Sequence, residues 1–191
     1  MSKLNHEIKE NFNFFKKLCA EKKIIHDKMI ILQDKVNNKK WLQNNSKCST
    51  SFDIDDLQLI IEKQKEDKKY HIKLRTSKLS KEPFFRFDSD GPAHRNNDEN
   101  IPLPEQVITT PHFNSYNING LPIAYKNKVL EDEQQANIIS NDINFGMALF
   151  CQESNSSSSL ENNSYPQILD NDLQLDFDYD EMINFNSLNF D

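Results

Sequence analysis

Residues 70–88 of the chain read YHIKLRTSKLSKEPFFRFD. Tyr70, Ile72 and Leu74 alternate with His71, Lys73 and Arg75. Side chains of an extended strand point to opposite faces in turn, so this run predicts a strand with one apolar and one basic face. Phe85 and Phe87 alternate with Phe84, Arg86 and Asp88, which predicts a second strand paired with the first across Thr76–Pro83. Asp88-Ser-Asp-Gly-Pro92 has the composition of a turn. Val107–Thr110 is short and β-prone. His112–Asn117 and Leu121–Lys126 flank Ile118-Asn119-Gly120, and Asn-Gly is a strong hairpin signal. Ile138–Cys151 suits a short helix or a final strand. Residues 50–152 are therefore expected to form an α+β core around a small, mostly antiparallel sheet.

On the N-terminal side the period changes. Leu4, Ile8, Asn11, Phe15, Leu18, Lys22, Ile25, Met29, Leu32 and Val36 follow steps of four and three without a break. That spacing predicts a long heptad helix or helical hairpin over residues 1–45, able to pack on the core or to form a homo-oligomer through residues 4–36. Residues 44–50 read as a polar connector. Ser51 or Asp53 could cap a short helix carrying Ile54, Leu57, Ile60 and Ile61.

On the C-terminal side, residues 153–169 are rich in Ser and Asn, with four consecutive serines at 156–159, and are expected to be a flexible linker. Residues 170–191 form an acidic-aromatic tail, expected to be mobile. Within it, Asp176, Asp178 and Asp180 alternate with Phe177 and Tyr179, a pattern suited to partner binding by imitation of phosphate spacing.

The charge is distributed unevenly. Residues 1–81 carry 19 Lys and Arg against 11 Asp and Glu, whereas residues 82–191 carry 4 against 19. The first part should attract polyanions and the second repel them. No apolar run approaches the roughly 20 residues needed to cross a bilayer. Met1 is followed by polar residues, so no secretory leader is expected. Cys19, Cys48 and Cys151 suit neither a disulfide framework nor a zinc site, which points to a reducing cytoplasm. Phosphate-binding Gly loops, dinucleotide fingerprints and hydrolase elbows are absent.

The densest polar cluster runs from Arg86 to Asn96 and continues at Thr110–Asn114. His94 and His112 could act as acid and base on a phosphodiester, with Arg86, Arg95 and Asn114 holding its oxygens. The basic strand face of His71, Lys73 and Arg75 would extend that anion surface. His94 and His112 with Asp88 or Asp90 could alternatively hold a divalent metal, and a purely loop-bracing role for these side chains is the plain alternative. The expectation adopted is a site with no metal and no cofactor.

The segments FFRFDSDGPAHRN (84–96), TTPHFN (109–114) and GLPIAYK (120–126) resemble an uncharacterised group of small bacterial and phage-associated proteins. That group has a Gly-Pro-x-His-x-Asn turn and a Pro-His-hydrophobic-His strand. The resemblance covers about residues 70–126 and maps onto Arg86, Asp88, Gly91, His94, Asn96, Pro111 and His112. Where the group tends to have a second His, this chain has Asn114, which cannot take up a proton at neutral pH. The resemblance implies a component of a phage or anti-phage defence system. Two functions follow from the sequence. One is nucleic-acid or nucleotide handling through the His/Arg cluster, in the manner of a ribonuclease. The other is a non-catalytic inhibitor or adaptor acting through the heptad helix and acidic tail.

Overall fold

A computed structural model of the chain describes residues 4–97, 101–159 and 164–169. Two short helices, α1 (His6–Glu10) and α2 (Phe12–Ala20), precede strands β1 (Lys23–Ile25), β2 (Met29–Ile31), β3 (Gln33–Asp34) and β4 (Trp41–Ser49). Strands β5 (Gln58–Gln64), β6 (Tyr70–Thr76) and β7 (Ser80–Asp88) follow, then β8 (His94–Arg95), β9 (Val107–Ile108), β10 (His112–Tyr116) and β11 (Pro122–Tyr125). Helices α3 (Lys128–Glu131), α4 (Glu133–Asn141) and α5 (Ile143–Glu153) lead to β12 (Ser156–Ser157) and β13 (Gln167–Leu169).

The architecture is dominated by one curled, half-barrel sheet with the strand order β11-β10-β7-β6-β5-β4-β1-β12, and β3 beside β4. Every pair along it is antiparallel except β1 with β12. The expected small α+β core with a long helix is thus replaced by a larger, sheet-rich fold in which the longest described helix has 11 residues.

Register explains how one sheet makes both a core and a site. Ile61, Ile72, Phe87, Phe113 and Tyr125 are successive cross-strand partners on one face. The first four are fully buried. Helix α5 covers this face through Phe150, whose ring lies 5.4 Å from that of Phe85, and Phe15 of α2 meets Tyr116 edge-on. One residue along each strand the side chains reverse, as period-2 geometry requires. Two polar rows result: Glu62, His71, Asp88 and His112, and then Lys73, Arg86 and Asn114.

Tyr70 joins sheet and helices. Its hydroxyl donates to the Ile139 carbonyl at 2.5 Å, with the Asp142 carbonyl 3.2 Å away. This contact needs a glycine opposite. A Cβ at Gly146 would lie 1.9 Å from Tyr70 Oη.

The heptad expectation fails beyond residue 20. Ile8 to Leu18 does form the helical stripe, broken at Asn11, which caps the end of α1, while Leu4 lies before the helix. Beyond Glu21 the chain becomes extended, because Ile24, Ile25, Ile30 and Ile31 are β-branched and pack best on a pleated surface. Met29 and Val36, two members of the proposed seam, are 68% and 93% exposed. Ile8, Leu18, Ile25 and Leu32 are buried in the chain's own core, so the seam has no free apolar stripe for self-association. The connector at 44–50 is instead most of β4, and Ile60 and Ile61 lie in β5 rather than in a helix.

The serine run also differs from a flexible linker over its described part. Ser154, Ser156, Ser157 and Ser158 are buried. Ser156 and Ser157 pair with Lys23 and Ile24 as the edge of the main sheet. The hydroxyls are satisfied locally: Ser154 Oγ donates to Phe150 O, and Ser157 Oγ to Ser159 O. Small polar side chains that close their own hydrogen bonds can be buried at little cost. The tail residues Asp176, Phe177, Asp178, Tyr179 and Asp180 lie outside the described residues.

Lys23 is a second joint. It is fully buried, and its Nζ donates to the carbonyls of Cys19, Glu21 and Ser154 at 3.1, 2.7 and 2.8 Å. An ammonium has three protons, and all three find acceptors at the end of α2 and the exit of α5. Lys23→Met keeps the aliphatic stem but strips those carbonyls of their donor. The expected loss is about 2–3 kcal/mol in urea denaturation. Unchanged stability would mean that water replaces the ammonium there.

Candidate functional site

The polar rows open into a cleft of about 360 Å³, lined in part by Trp41, Lys69, Arg86, Asp88, His94 and His112. That size falls within the roughly 300–1,000 Å³ of small-molecule sites. Asp88, only 5% exposed, is its anchor. Its Oδ1 accepts from His71 Nδ1 at 2.6 Å, and its Oδ2 accepts from Arg86 Nη2 at 2.5 Å and Asn114 Nδ2 at 2.8 Å. His112 Nε2 lies 3.6 Å from the same Oδ2. Burial alone would raise the Asp88 pKa, but His112, His71 and the Arg86 guanidinium together hold it well below the usual carboxylate range. One ionised carboxylate therefore fixes four side chains from three strands.

His94 reaches the cleft by another route. Gly91, at φ +145°, turns the chain after β7 in a conformation that side-chain-bearing residues rarely adopt. Strand β8 then pairs with β9, and Asn96 clamps it to the outer edge of β11. Asn96 Nδ2 donates to Ala124 O at 2.7 Å, and Ala124 N donates to Asn96 Oδ1 at 2.8 Å. The side-chain amide thus completes the edge as a further strand would. The His94 and His112 rings come to 6.4 Å between centroids, inclined at 72°. Burial lowers the His94 pKa, the Pro122 carbonyl opposes this, and the nearby His112 and Arg86 lower it further. The net shift is downward, so His94 is neutral at pH 7.

Among the described residues, four buried side-chain polar atoms lack a hydrogen-bond partner, and three of them are Arg86 Nε, His94 Nε2 and His112 Nδ1. Buried polar groups are normally paired, and the three residues that carry these unpaired atoms all line the cleft.

The structure thus brings together His94, His112, Arg86, Asn114 and His71. It separates the remaining candidates. Arg95 is exposed on the opposite side of β8 from His94 and does not line the cleft. Lys73 is committed to Glu62 at 2.5 Å, and Lys35 holds the other oxygen of the same carboxylate. Arg75 is exposed and donates to Gln58 Oε1 at 3.1 Å, outside the cleft. The alternative metal set gains no support, since no group of three or more His, Cys, Asp or Glu is arranged to hold a metal ion among the described residues. Two lining residues were missed from the sequence. Trp41, on β4, stacks on His71 with centroids 5.2 Å apart and planes at 16°. Lys69 stands just before β6, its Nζ 3.5 Å from where a Gly91 Cβ would be. Neither lies near the His/Arg cluster in sequence. The basic clustering around residues 63–69 was the one available signal.

No helix among the described residues is long and apolar enough to cross a membrane. No protein-family model, curated protein or solved structure matches the chain.

Proposed function

We propose that the cleft binds a phosphodiester of a nucleotide or nucleic acid and cleaves RNA without a metal. The observation that carries this reading is that Arg86, His94 and His112, each with a buried polar atom that has no partner, line one cavity. A phosphate offers acceptors to the guanidinium, and a ribose hydroxyl and a leaving oxygen offer one proton to lose and one to gain. His94, neutral at pH 7, is suited to remove the proton from a 2′-hydroxyl. The 2′-oxygen then bonds to phosphorus, and the bond from phosphorus to the 5′-oxygen breaks. The departing oxygen takes a proton from His112, leaving a 2′,3′-cyclic phosphate. Arg86 and Lys69 offset the charge gathering on the phosphoryl oxygens. His71 and Asn114 act through Asp88, holding the carboxylate that orients Arg86 and faces His112. The phage or defence setting rests on the resemblance over residues 70–126 alone.

The test is RNA cleavage by the wild type against His94→Ala and His112→Ala. Each variant should lose at least about a hundredfold in rate while retaining RNA binding. Wild-type cleavage should persist below the pH at which an ordinary imidazole protonates and fall only on the more acid side of it, because the His94 pKa is lowered and only protonated His94 cannot accept a proton. Unaltered cleavage in both folded variants would dismiss the acid–base roles.

A further inference from the structure

Two loops beside the cleft form a lysine-rich tip. The β3–β4 loop carries Lys39 and Lys40, and the β5–β6 loop carries Lys65 and Lys68 with Glu66 and Asp67. The loops are tied together: Lys65 N donates to Lys40 O at 3.0 Å, and Lys65 Nζ pairs with Asp34 at 2.6 Å. Lys39, Lys40 and Lys68 are exposed and have no ion-pair partner among the described residues. Each loop runs directly into a cleft residue, Lys40 into Trp41 and Lys68 into Lys69. On the other side of Arg86, His94 and Asn114, a second cavity of about 150 Å³ continues to Tyr116. The His/Arg cluster therefore lies midway along a groove formed by these two cavities, with Trp41 lining one and Tyr116 the other, and the lysine-bearing loops lead into Trp41 and Lys69.

A mononucleotide would use only the centre of such a groove. We infer that the ligand is a single-stranded polynucleotide, with a base against Trp41 and its neighbouring phosphates on Lys39, Lys40 and Lys68. Stacking rings interleaved with backbone-neutralising lysines are what single strands require, and a duplex would keep its bases from Trp41. This inference rests on the phosphodiester reading of the cleft and extends it from a reacting phosphate to a polymer track.

The test compares a 2′-O-methyl RNA single strand of about twelve nucleotides with uridine 3′-monophosphate, on the full chain. The oligomer should bind at least tenfold tighter and with a steeper salt dependence. The triple variant Lys39→Glu, Lys40→Glu, Lys68→Glu should abolish that preference while leaving mononucleotide affinity and dinucleotide cleavage unchanged. With about 0.7 of slope per neutralised phosphate on a single strand, the salt slope should fall by about 2. Equal affinity for oligomer and mononucleotide, or a triple variant that retains the preference, overturns the track but leaves the cleft reading standing. Absence of binding by both probes overturns the cleft reading as well. Equal competition by polyglutamate overturns the nucleic-acid assignment in favour of an acidic protein partner, since a polypeptide carboxylate chain has no base for Trp41.

Discussion

Asp88→Asn is expected to destabilise the protein by about 3–5 kcal/mol, the usual consequence of removing one partner from a buried charge network. The carboxylate accepts from His71, Arg86 and Asn114, and the amide that replaces it has one acceptor oxygen and turns a donor toward donors. The Arg86 side chain is 43% exposed, so its share is screened and most of the loss falls on the inner partners. For a chain of this length the melting temperature should drop by about 10 °C or more. The pH dependence has a definite sign. The Asp88 pKa is depressed in the folded state, so its stabilisation is complete above the unfolded value near 4 and is lost as pH falls below it. The variant should lack that acid-side loss. Thermal melts from pH 7 down to pH 3 check both statements, and superimposable curves would show that the carboxylate is not the anchor.

Gly146→Ala should cost about as much, near 4 kcal/mol, through a different mechanism. The new methyl would overlap Tyr70 Oη at 1.9 Å, with two further ring atoms at 2.6 and 2.7 Å. Tyr70 is fully buried and cannot swing into solvent. Either α5 lifts from the sheet or the tyrosine gives up its bond to Ile139, combining overpacking of about 1–3 kcal/mol with an unpaired buried hydroxyl. Denaturant titration measures the loss. Truncating the opposing ring in a Tyr70→Leu, Gly146→Ala double variant should make the two changes strongly non-additive. Simple additivity would place the cost outside this contact.

Local alternation made the middle of the chain legible. Tyr70-His-Ile-Lys-Leu declares a strand within five residues, and Asn119-Gly120 announces the turn between β10 and β11, where Gly120 has φ +70°. The same alternation puts Arg86 with Asp88, and His112 with Asn114, on common faces. The N-terminal third misleads because its apolar spacing continues the helical stripe through residues whose β-branching says otherwise. Asn11 and Lys22, the polar interruptions of that spacing, fall where α1 ends and just after α2 ends. The serines at 156–158 carry only a compositional signal, and composition does not reveal hydroxyls that satisfy themselves. In the site, the pairing of Trp41 with His71 depends on β4, β5 and β6 lying side by side, which no local pattern states. Lys73 and Arg75 look as available as Arg86 along the strand, but cross-strand neighbours decide the matter: Glu62 takes one and Gln58 the other.

The pairing of β13 with β2 bears on how the molecule would respond to mechanical load. Three residues, Gln167 to Leu169, lie in register with Met29 to Ile31. Asn144 holds the same strand from the other side, its Nδ2 donating to Ile168 O at 3.1 Å and its Oδ1 accepting from Ile168 N at 2.7 Å. A pull applied at Leu169 would load this short clasp first. Its rupture would pay out the segment back toward β12, of which no described residue lines the cleft, and the clasp would serve as a mechanical fuse that yields while the His/Arg centre stays assembled.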